Sequence, residues 1–189
     1  MFSNICDVIC DLAQCFYDYK IKYLIGGSVS SSLNGIFRTT NDIDVLVEKP
    51  LNEVPNVITA LSTKFLVDEP ALIKQHLDNK AYNIFHEQTA LKIDIFPGHT
   101  EFHQMQLSRA LNVKPPTSRC EFKIASAEDI ILAKLQWFQK SPSDRQINDI
   151  VGVLNLNKNT VDLSYLRNWA SKLDVLDKLE ELLCVAELV

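Results

Sequence analysis

The sequence has no apolar run long enough to cross a bilayer, since every hydrophobic stretch falls short of the ~18 to 20 residues that a spanning helix needs. The first residues, Met1 to Asp7, lack the basic start of a secretory signal. Basic residues are also scarce: 19 Lys and Arg against 24 Asp and Glu give a formal net charge of -5. This balance argues against a broad basic face for nucleic acid. We therefore expect a soluble, cytoplasmic protein without membrane contact, in which any RNA contact is local.

The cysteines are few and do not predict a disulfide framework. There are five, an odd number, and Cys6, Cys10 and Cys15 fall within one amphipathic helical pattern. At about 100° per residue, Cys15 lies roughly 140° around the helix from Cys10, so three thiolates would not converge on a metal. We expect buried free thiols in a reducing compartment, and no zinc.

Two common phosphate-binding motifs are missing as well. The chain contains no G-x-G-x-x-G and no G-x-x-x-x-G-K-[ST], which makes dinucleotide-binding and P-loop folds poor interpretations. It also has no internal repeat and no low-complexity tract. With 189 residues and 47% hydrophobic content, the chain can form one ordinary core, or one domain with a small helical appendage.

The periodicity of the apolar residues predicts an α/β (α+β) fold. Ser126, Asp162 and Asp174 are expected to cap helices, and His99 and His103 are expected in a solvated loop after a Pro-Gly turn. Residues 1–125 would form a core of a small mixed sheet flanked by helices, and residues 126–189 a helical C-terminal segment. The expected helices are 3–19, 29–34, 52–63, 70–78, 126–138, 144–154, 163–173 and 175–183, and the expected strands or extended segments are 23–25, 41–48, 81–85, 91–96 and 120–124.

The order of parts near the N-terminus carries the chemistry. A buried strand ends in Gly26-Gly27-Ser28, a short helix follows, and Asp42 and Asp44 come next on a strand that alternates polar and apolar residues. Carboxylates at i and i+2 project from the same strand face and can reach one or two divalent cations. The glycines allow a phosphate close to the backbone, and the Ser28 hydroxyl can donate to it. Together these parts predict a site for a metal-bound nucleoside triphosphate.

These segments resemble a known superfamily. Leu24 to Ser28 and Arg38 to Val47 resemble the signature of the polymerase-β-type nucleotidyltransferases, in their minimal bacterial branch. Ala125 to Leu135 and Arg145 to Ile150 resemble the AbiEii-like toxin nucleotidyltransferases, in the same order along the chain. The resemblance implies a nucleotidyltransferase core fold, Mg2+ or Mn2+ as cofactor, a nucleoside triphosphate as co-substrate, and an antitoxin as partner.

By that resemblance, Gly26, Gly27 and Ser28 hold the triphosphate and Asp42 and Asp44 hold the metal. A helix lysine and an aspartate of the following helix complete the family's active site, and the matching positions are Lys134 and Asp149.

Four of the candidate residues have more than one interpretation. By the same resemblance, Asp94 matches the third catalytic and metal-binding carboxylate that many polymerase-β-type enzymes carry on a neighbouring strand. It also suits an exposed strand face, since Lys92 points the same way. Lys134 lies within an apolar stripe, where its amine either snorkels to water or faces a phosphate. Asp149 either pairs with Lys134 or acts as the base. Arg38 either steadies phosphate or braces its loop.

The leading hypothesis is metal-dependent transfer of a nucleoside monophosphate to an acceptor hydroxyl, on an RNA 3′ end such as that of tRNA or on a protein, as in the toxin of a toxin-antitoxin system. One alternative is a small-molecule nucleotidyltransferase of the antibiotic-resistance type. Another is an inactive nucleotidyltransferase-like binding module. The acceptor stays open because acceptor contacts lie in loops that carry no readable motif.

Overall fold

A computed structural model describes residues 2–34, 40–78 and 80–188 of the chain. The described chain forms two compact units. The first, which we call the sheet unit, comprises Met1–Val29 and Thr39–Ala125. The second, the helical unit, comprises Ser30–Arg38 and Ser126–Val189. Whether residues 1–125 and 126–189 divide the function in the predicted way stays a prediction.

Helices and strands alternate along the first two thirds of the described chain, and helices follow one another after that. No helix within the described ranges is both long and apolar enough to span a bilayer. In chain order the elements are α1 (Phe2–Asp18), β1 (Tyr23–Ile25), α2 (Gly27–Asn34), β2 (Asp42–Val47), a 3-10 turn (Leu51–Glu53), α3 (Val57–Leu61), β3 (Phe65–Leu66), α4 (Glu69–Leu77), β4 (Tyr82–His86), β5 (Lys92–Pro97), α5 (Glu101–Arg109), β6 (Leu111–Val113), β7 (Phe122–Ile124), α6 (Ala127–Lys140), α7 (Asp144–Leu156), α8 (Leu163–Lys172) and α9 (Leu176–Val185).

The sheet unit is built on a mixed sheet of seven strands in the order β3-β4-β5-β2-β1-β7-β6. β2 runs parallel to β5, and β1 runs parallel to β7, while the other neighbours are antiparallel. The predicted α/β fold is therefore confirmed. The alternation read from the sequence holds in β2, where Ile43 and Val45 are fully buried and Asp42 and Asp44 are half-buried.

The first helix packs through the face that its sequence predicts. Ile9, Leu12 and Phe16 are fully buried, and Ile5 and Val8 nearly so. Residues at this spacing line one side of a helix, and removing their apolar surface from water is the main stabilising term for such a helix.

An ionic cluster also ties α1 to the rest of the sheet unit. Asp11 accepts hydrogen bonds from Lys64 at 2.5 Å and from Arg119 at 2.5 Å, and the Nε2 atom of His86 lies 3.5 Å from its other oxygen. Burial would raise the pKa of the Asp11 carboxyl, but the hydrogen bonds and charges of Lys64 and Arg119 outweigh it and lower that pKa.

The prediction of free thiols is wrong for one pair. Cys10 of α1 forms a disulfide with Cys120, which lies just before β7, 110 residues further along the chain. The two Cα atoms are 5.8 Å apart. The prediction considered only the spacing of cysteines within α1. That spacing carries no information about a segment that is distant in sequence and packs against the helix. Cys6 is a buried free thiol, as expected, and its pKa is raised chiefly by burial.

Two further local expectations are wrong. The predicted helix 52–63 is a 3-10 turn followed by the short α3, because Pro55 disfavours helical geometry at the residue before it, and Val54 is extended. The expected loop around the two histidines contains α5, whose N-cap is Thr100; its hydroxyl oxygen accepts from the amide of His103. The two-residue β3 and three-residue β6 were also not predicted, since segments this short show no clear period.

In the helical unit, the chain forms α6 to α9 close to their predicted positions. Ser126 caps α6 and Asp162 caps α8, each accepting from a backbone amide three residues later. Asp174 does not cap α9: it adopts a left-handed conformation with φ of 58°, and Val175 is the N-cap. Asn157 donates to the backbone carbonyl of Asn34, which ties the end of α2 to α7.

Candidate active site

The register between two parallel strands brings three carboxylates together. Asp44 of β2 pairs directly with Asp94 of β5, and Asp42 pairs with Lys92. Residues in register on neighbouring strands point to the same face of the sheet, and neighbouring strands lie about 4.7–4.9 Å apart. We call Asp42, Asp44 and Asp94 the carboxylate site. The expectation that Asp94 lies on a strand beside Asp42 and Asp44 is confirmed, while the roles of all three residues stay predictions.

The glycine turn lies against the carboxylate site. The amide of Gly26 donates to the backbone carbonyl of Asp44 at 2.8 Å, which continues the β1–β2 pairing into the turn. Gly27 has a φ of +51°, and a Cβ atom at this residue would overlap the Asp44 carboxyl group. Glycine is therefore required here twice, for its left-handed backbone and for the space that Asp44 fills. Ser28, in the first turn of α2, is buried.

Each end of the carboxylate site has a partner in the protein. Thr40 donates its hydroxyl proton to Asp42 at 2.5 Å. The ammonium of Lys92 contacts Asp94 at 2.7 Å, and the Lys92 side chain is 38% exposed while that of Asp94 is 14% exposed. The hydrogen bond to Asp94 raises the pKa of Lys92, and the charges of Asp94, Asp42 and Asp44 add to this against the opposing effect of burial.

The donor chemistry of Asp42 and Asp44 is compatible with a hard divalent cation. Among the described residues, no three or more His, Cys, Asp or Glu side chains are grouped so as to hold a metal ion. Asp94 in particular is engaged by Lys92. However, Mg2+ commonly takes only one or two carboxylates and completes its shell with waters and substrate phosphates. Asp42 and Asp44 meet that requirement, because they are adjacent oxygen donors on one strand face.

In the helical unit, Lys134 and Asp149 form a largely buried ion pair. The Lys134 ammonium contacts Asp149 at 2.8 Å, and each side chain is 12% exposed. Lys134 therefore does not snorkel to water. The pairing of the two residues was one of the open interpretations, and the structure shows it. Whether either residue contacts a nucleotide stays a prediction, and Arg38 lies outside the described residues.

Two contributors to the geometry had not been assigned a role from the sequence. Thr40 lies two residues before Asp42 and points to the same side, so the i, i+2 spacing is the signal that could have identified it. Lys92 was noted only as a neighbour of Asp94. The contact of Lys92 with Asp94 follows from their i, i+2 spacing on one strand face. The position of Lys92 opposite Asp42, in contrast, depends on the register of β2 and β5.

A cavity of about 670 Å3 elsewhere in the sheet unit is separate from these residues. It is bordered by the Cys10–Cys120 disulfide and by Tyr17, Tyr23 and Lys123, and it includes none of the predicted site residues.

Comparison with known proteins agrees with the fold. Residues 3–184 match the model of a family described as a nucleotidyltransferase of unknown function, DUF6036. None of the curated proteins matches the chain. Among solved structures, an antigenic nucleotidyltransferase-like protein from Paracoccidioides brasiliensis is 19% identical over 94% of this chain and 91% of its own, with a TM-score of 0.57.

The antibiotic-resistance factor ANT(2'')-Ia is also similar, in two structures. Its solution structure is 13% identical over 96% of this chain and 99% of its own, with a TM-score of 0.53. Its crystal structure with adenylyl-2''-tobramycin is 11% identical over 90% of this chain and 97% of its own, with a TM-score of 0.51. At these identities the likeness is one of fold, which does not by itself carry a substrate.

Proposed function

Since the chain belongs to the DUF6036 family of nucleotidyltransferases, we propose that its carboxylate site transfers a nucleoside monophosphate from a nucleoside triphosphate to an acceptor hydroxyl. The observation that carries this proposal is the convergence of the Gly26-Gly27 turn with Asp44 and Asp94. A turn that admits phosphate close to the backbone and carboxylates that hold a cation are the two parts such a reaction needs.

In the proposed reaction, the acceptor oxygen forms a bond to the α-phosphorus while the bond from that phosphorus to the bridging oxygen breaks, and pyrophosphate leaves. A divalent cation, Mg2+ or Mn2+, would supply Lewis-acid stabilisation of the charge on the phosphates. Asp42 and Asp44 would provide its protein ligands. Thr40 donates to the Asp42 carboxylate, and the Gly26 amide donates to the backbone carbonyl of Asp44, so the Asp42 carboxylate and the Asp44 backbone are held in place.

The acceptor proton needs a base, and two carboxylates are candidates. Asp94 is adjacent to Asp44 across the sheet and could accept the proton or serve as a third ligand. Asp149 pairs with Lys134, and an aspartate held in this way suits a supporting role better than proton transfer. We therefore favour Asp94 as the base and as a further contact for the cation, with Lys134 as a phosphate-binding residue and Asp149 as the residue that positions it.

Two classes of acceptor remain under this proposal. The resemblance to AbiEii-like toxins favours an RNA 3′ end or a protein hydroxyl, with an antitoxin as partner. A small molecule is the second candidate, because one structural neighbour is a resistance factor seen with adenylyl-2''-tobramycin. A binding module without chemistry is the non-enzymatic alternative, and the same experiment tests it.

The decisive experiment incubates the protein with each radiolabelled nucleoside triphosphate, Mg2+ or Mn2+ and cell extract, and then separates RNA, protein and small molecules. Aminoglycosides are added in a parallel series. We expect label in one fraction with the wild type and none with Asp42→Ala or Asp44→Ala. Asp78→Ala removes an exposed carboxylate of the same unit and should behave as wild type. Nucleotide binding without label in any fraction would favour the binding module, and full activity of Asp42→Ala would refute the site.

A further inference from the structure

A lysine lies among the three carboxylates of the proposed site. Lys92 is opposite Asp42 across the β2–β5 ladder and two residues before Asp94 on the same strand face. Its ammonium is 2.7 Å from the Asp94 carboxylate. A charged hydrogen bond of this length is among the stronger contacts that a half-buried carboxylate can make.

The position of this lysine bears directly on metal binding. A divalent cation held by Asp42 and Asp44 would be attracted by Asp94, which is the cross-strand neighbour of Asp44. The carboxylate oxygen that contacts Lys92 cannot coordinate the cation at the same time without weakening that ion pair. The Lys92 side chain is 38% exposed, so its long stem can carry the ammonium away to water.

Resting on the function proposed above, we propose that Lys92 competes with the divalent cation for Asp94. In the metal-free protein Lys92 occupies Asp94 and offsets part of the repulsion among the three carboxylates. A cation held by Asp42 and Asp44 would displace Lys92 from this ion pair, and the Asp94 carboxylate would then be free to contact the metal or the acceptor. Lys92 is thus a positioning residue, which keeps the third carboxylate in place until a metal-bound nucleotide arrives.

The test measures Mn2+ affinity in the presence of a non-hydrolysable nucleoside triphosphate, by calorimetry and by the electron paramagnetic resonance of free Mn2+. Lys92→Met should bind Mn2+ about three- to fivefold more tightly than wild type, because a part-exposed ion pair no longer has to be broken. Lys92→Arg should not gain affinity. Lys80→Met, which removes an exposed lysine of the same unit, is the matched control and should bind as wild type.

Removing the positive charge of Lys92 would also raise the affinity for a cation through general electrostatics, even if Lys92 did not compete for Asp94. The Asp94→Asn background separates the two effects, since no carboxylate is left at residue 94 for the lysine to occupy. If competition operates, Lys92→Met gains clearly less in this background than in the wild type. Equal gains in both backgrounds would mean a general charge effect and would overturn the proposal.

The remaining outcomes are also decisive. Unchanged Mn2+ affinity in Lys92→Met, with normal binding by the wild type, overturns the competition and leaves the proposed function standing. Failure of both the wild type and Lys92→Met to bind Mn2+ with nucleotide overturns the proposed function together with this inference. Lys92→Gln is measured as a second variant, because its uncharged amide can still hydrogen-bond to Asp94 and keeps the protein folded if Lys92→Met does not fold. Lys92→Gln should also bind Mn2+ more tightly than the wild type.

Discussion

The contact between Gly27 and Asp44 makes Gly27→Ala the most informative single substitution. The alanine methyl group would overlap the Asp44 carboxyl group and lie 2.9 Å from its Cβ atom. Moving only the end of a flexible side chain would therefore not relieve the overlap. Either β2 or the turn must shift, and in both cases the Asp44 oxygens leave the position beside Asp94.

Three effects set the size of the change in stability. A left-handed backbone costs an L-residue about 1–2 kcal/mol, and overpacking a well-filled position costs about 1–3 kcal/mol. Replacing glycine also reduces the conformational entropy of the unfolded chain, which stabilises the folded state by about 0.4–1 kcal/mol. The midpoints of these ranges sum to a loss of about 3 kcal/mol in the free energy of unfolding of Gly27→Ala.

The neighbouring glycine supplies a matched control for stability. A Cβ atom at Gly26 would meet nothing closer than Leu24 at 3.9 Å and the carbonyl oxygen of Asp44 at 4.0 Å. Gly26→Ala should therefore keep the free energy of unfolding of the wild type, or raise it by up to about 1 kcal/mol through the unfolded chain. Urea denaturation measures both variants under the same conditions.

Binding provides the second readout. Gly27→Ala should lose affinity for Mn2+ with nucleotide, because one of the two predicted ligands is displaced. The reasoning would be refuted if Gly27→Ala unfolded within about 0.5 kcal/mol of Gly26→Ala, the size of an ordinary surface effect, and also bound Mn2+ with nucleotide as the wild type does.

Three other predictions concern residues outside the carboxylate site. Cys120→Ser removes a disulfide that closes a loop of 110 residues, and the chain-entropy model gives such a disulfide a stabilisation of about 4.8 kcal/mol. Urea denaturation of the variant should show a loss approaching this value, and reductant should lower the midpoint of the wild type to that of the variant. Equal midpoints for the variant and the wild type without reductant would contradict the disulfide with Cys10. Lys134→Met removes the ammonium that contacts the largely buried Asp149 carboxylate and should cost about 3–5 kcal/mol. Replacing both residues by apolar ones should cost less, and a larger loss in the double variant would argue against the pair. Burial, together with the charge of Asp18, raises the pKa of the Cys15 thiol to about 11. Because only the thiolate reacts, the rate of Cys15 alkylation, followed by mass spectrometry, should be low at pH 9 and should increase with pH up to about pH 11. Rapid alkylation at pH 8 would contradict the buried environment.

Much of the local structure could be predicted because its causes lie within single segments. The period-two pattern of Asp42 to Val47 predicted β2, and the apolar stripe of α1 predicted its buried face. Ser126 and Asp162 were identified as caps because a cap acts on amides only two or three residues away. Predictions failed where one residue overrode a pattern, as at Pro55, or where an element was as short as β3.

The sequence by itself determined which chemical groups are available and how they are spaced: the glycine turn, two carboxylates at i and i+2, and a further aspartate on a later strand. The tertiary structure alone decided that Asp44 lies beside Asp94, that Lys92 engages that carboxylate, and that Cys10 meets Cys120. The first and the last of these contacts join residues 50 and 110 positions apart, and the contact of Lys92 with Asp94 depends on the face of β5 that both side chains share. Such contacts follow from the register of parallel strands and the packing of a distant segment on α1, and no period within one segment specifies either of them.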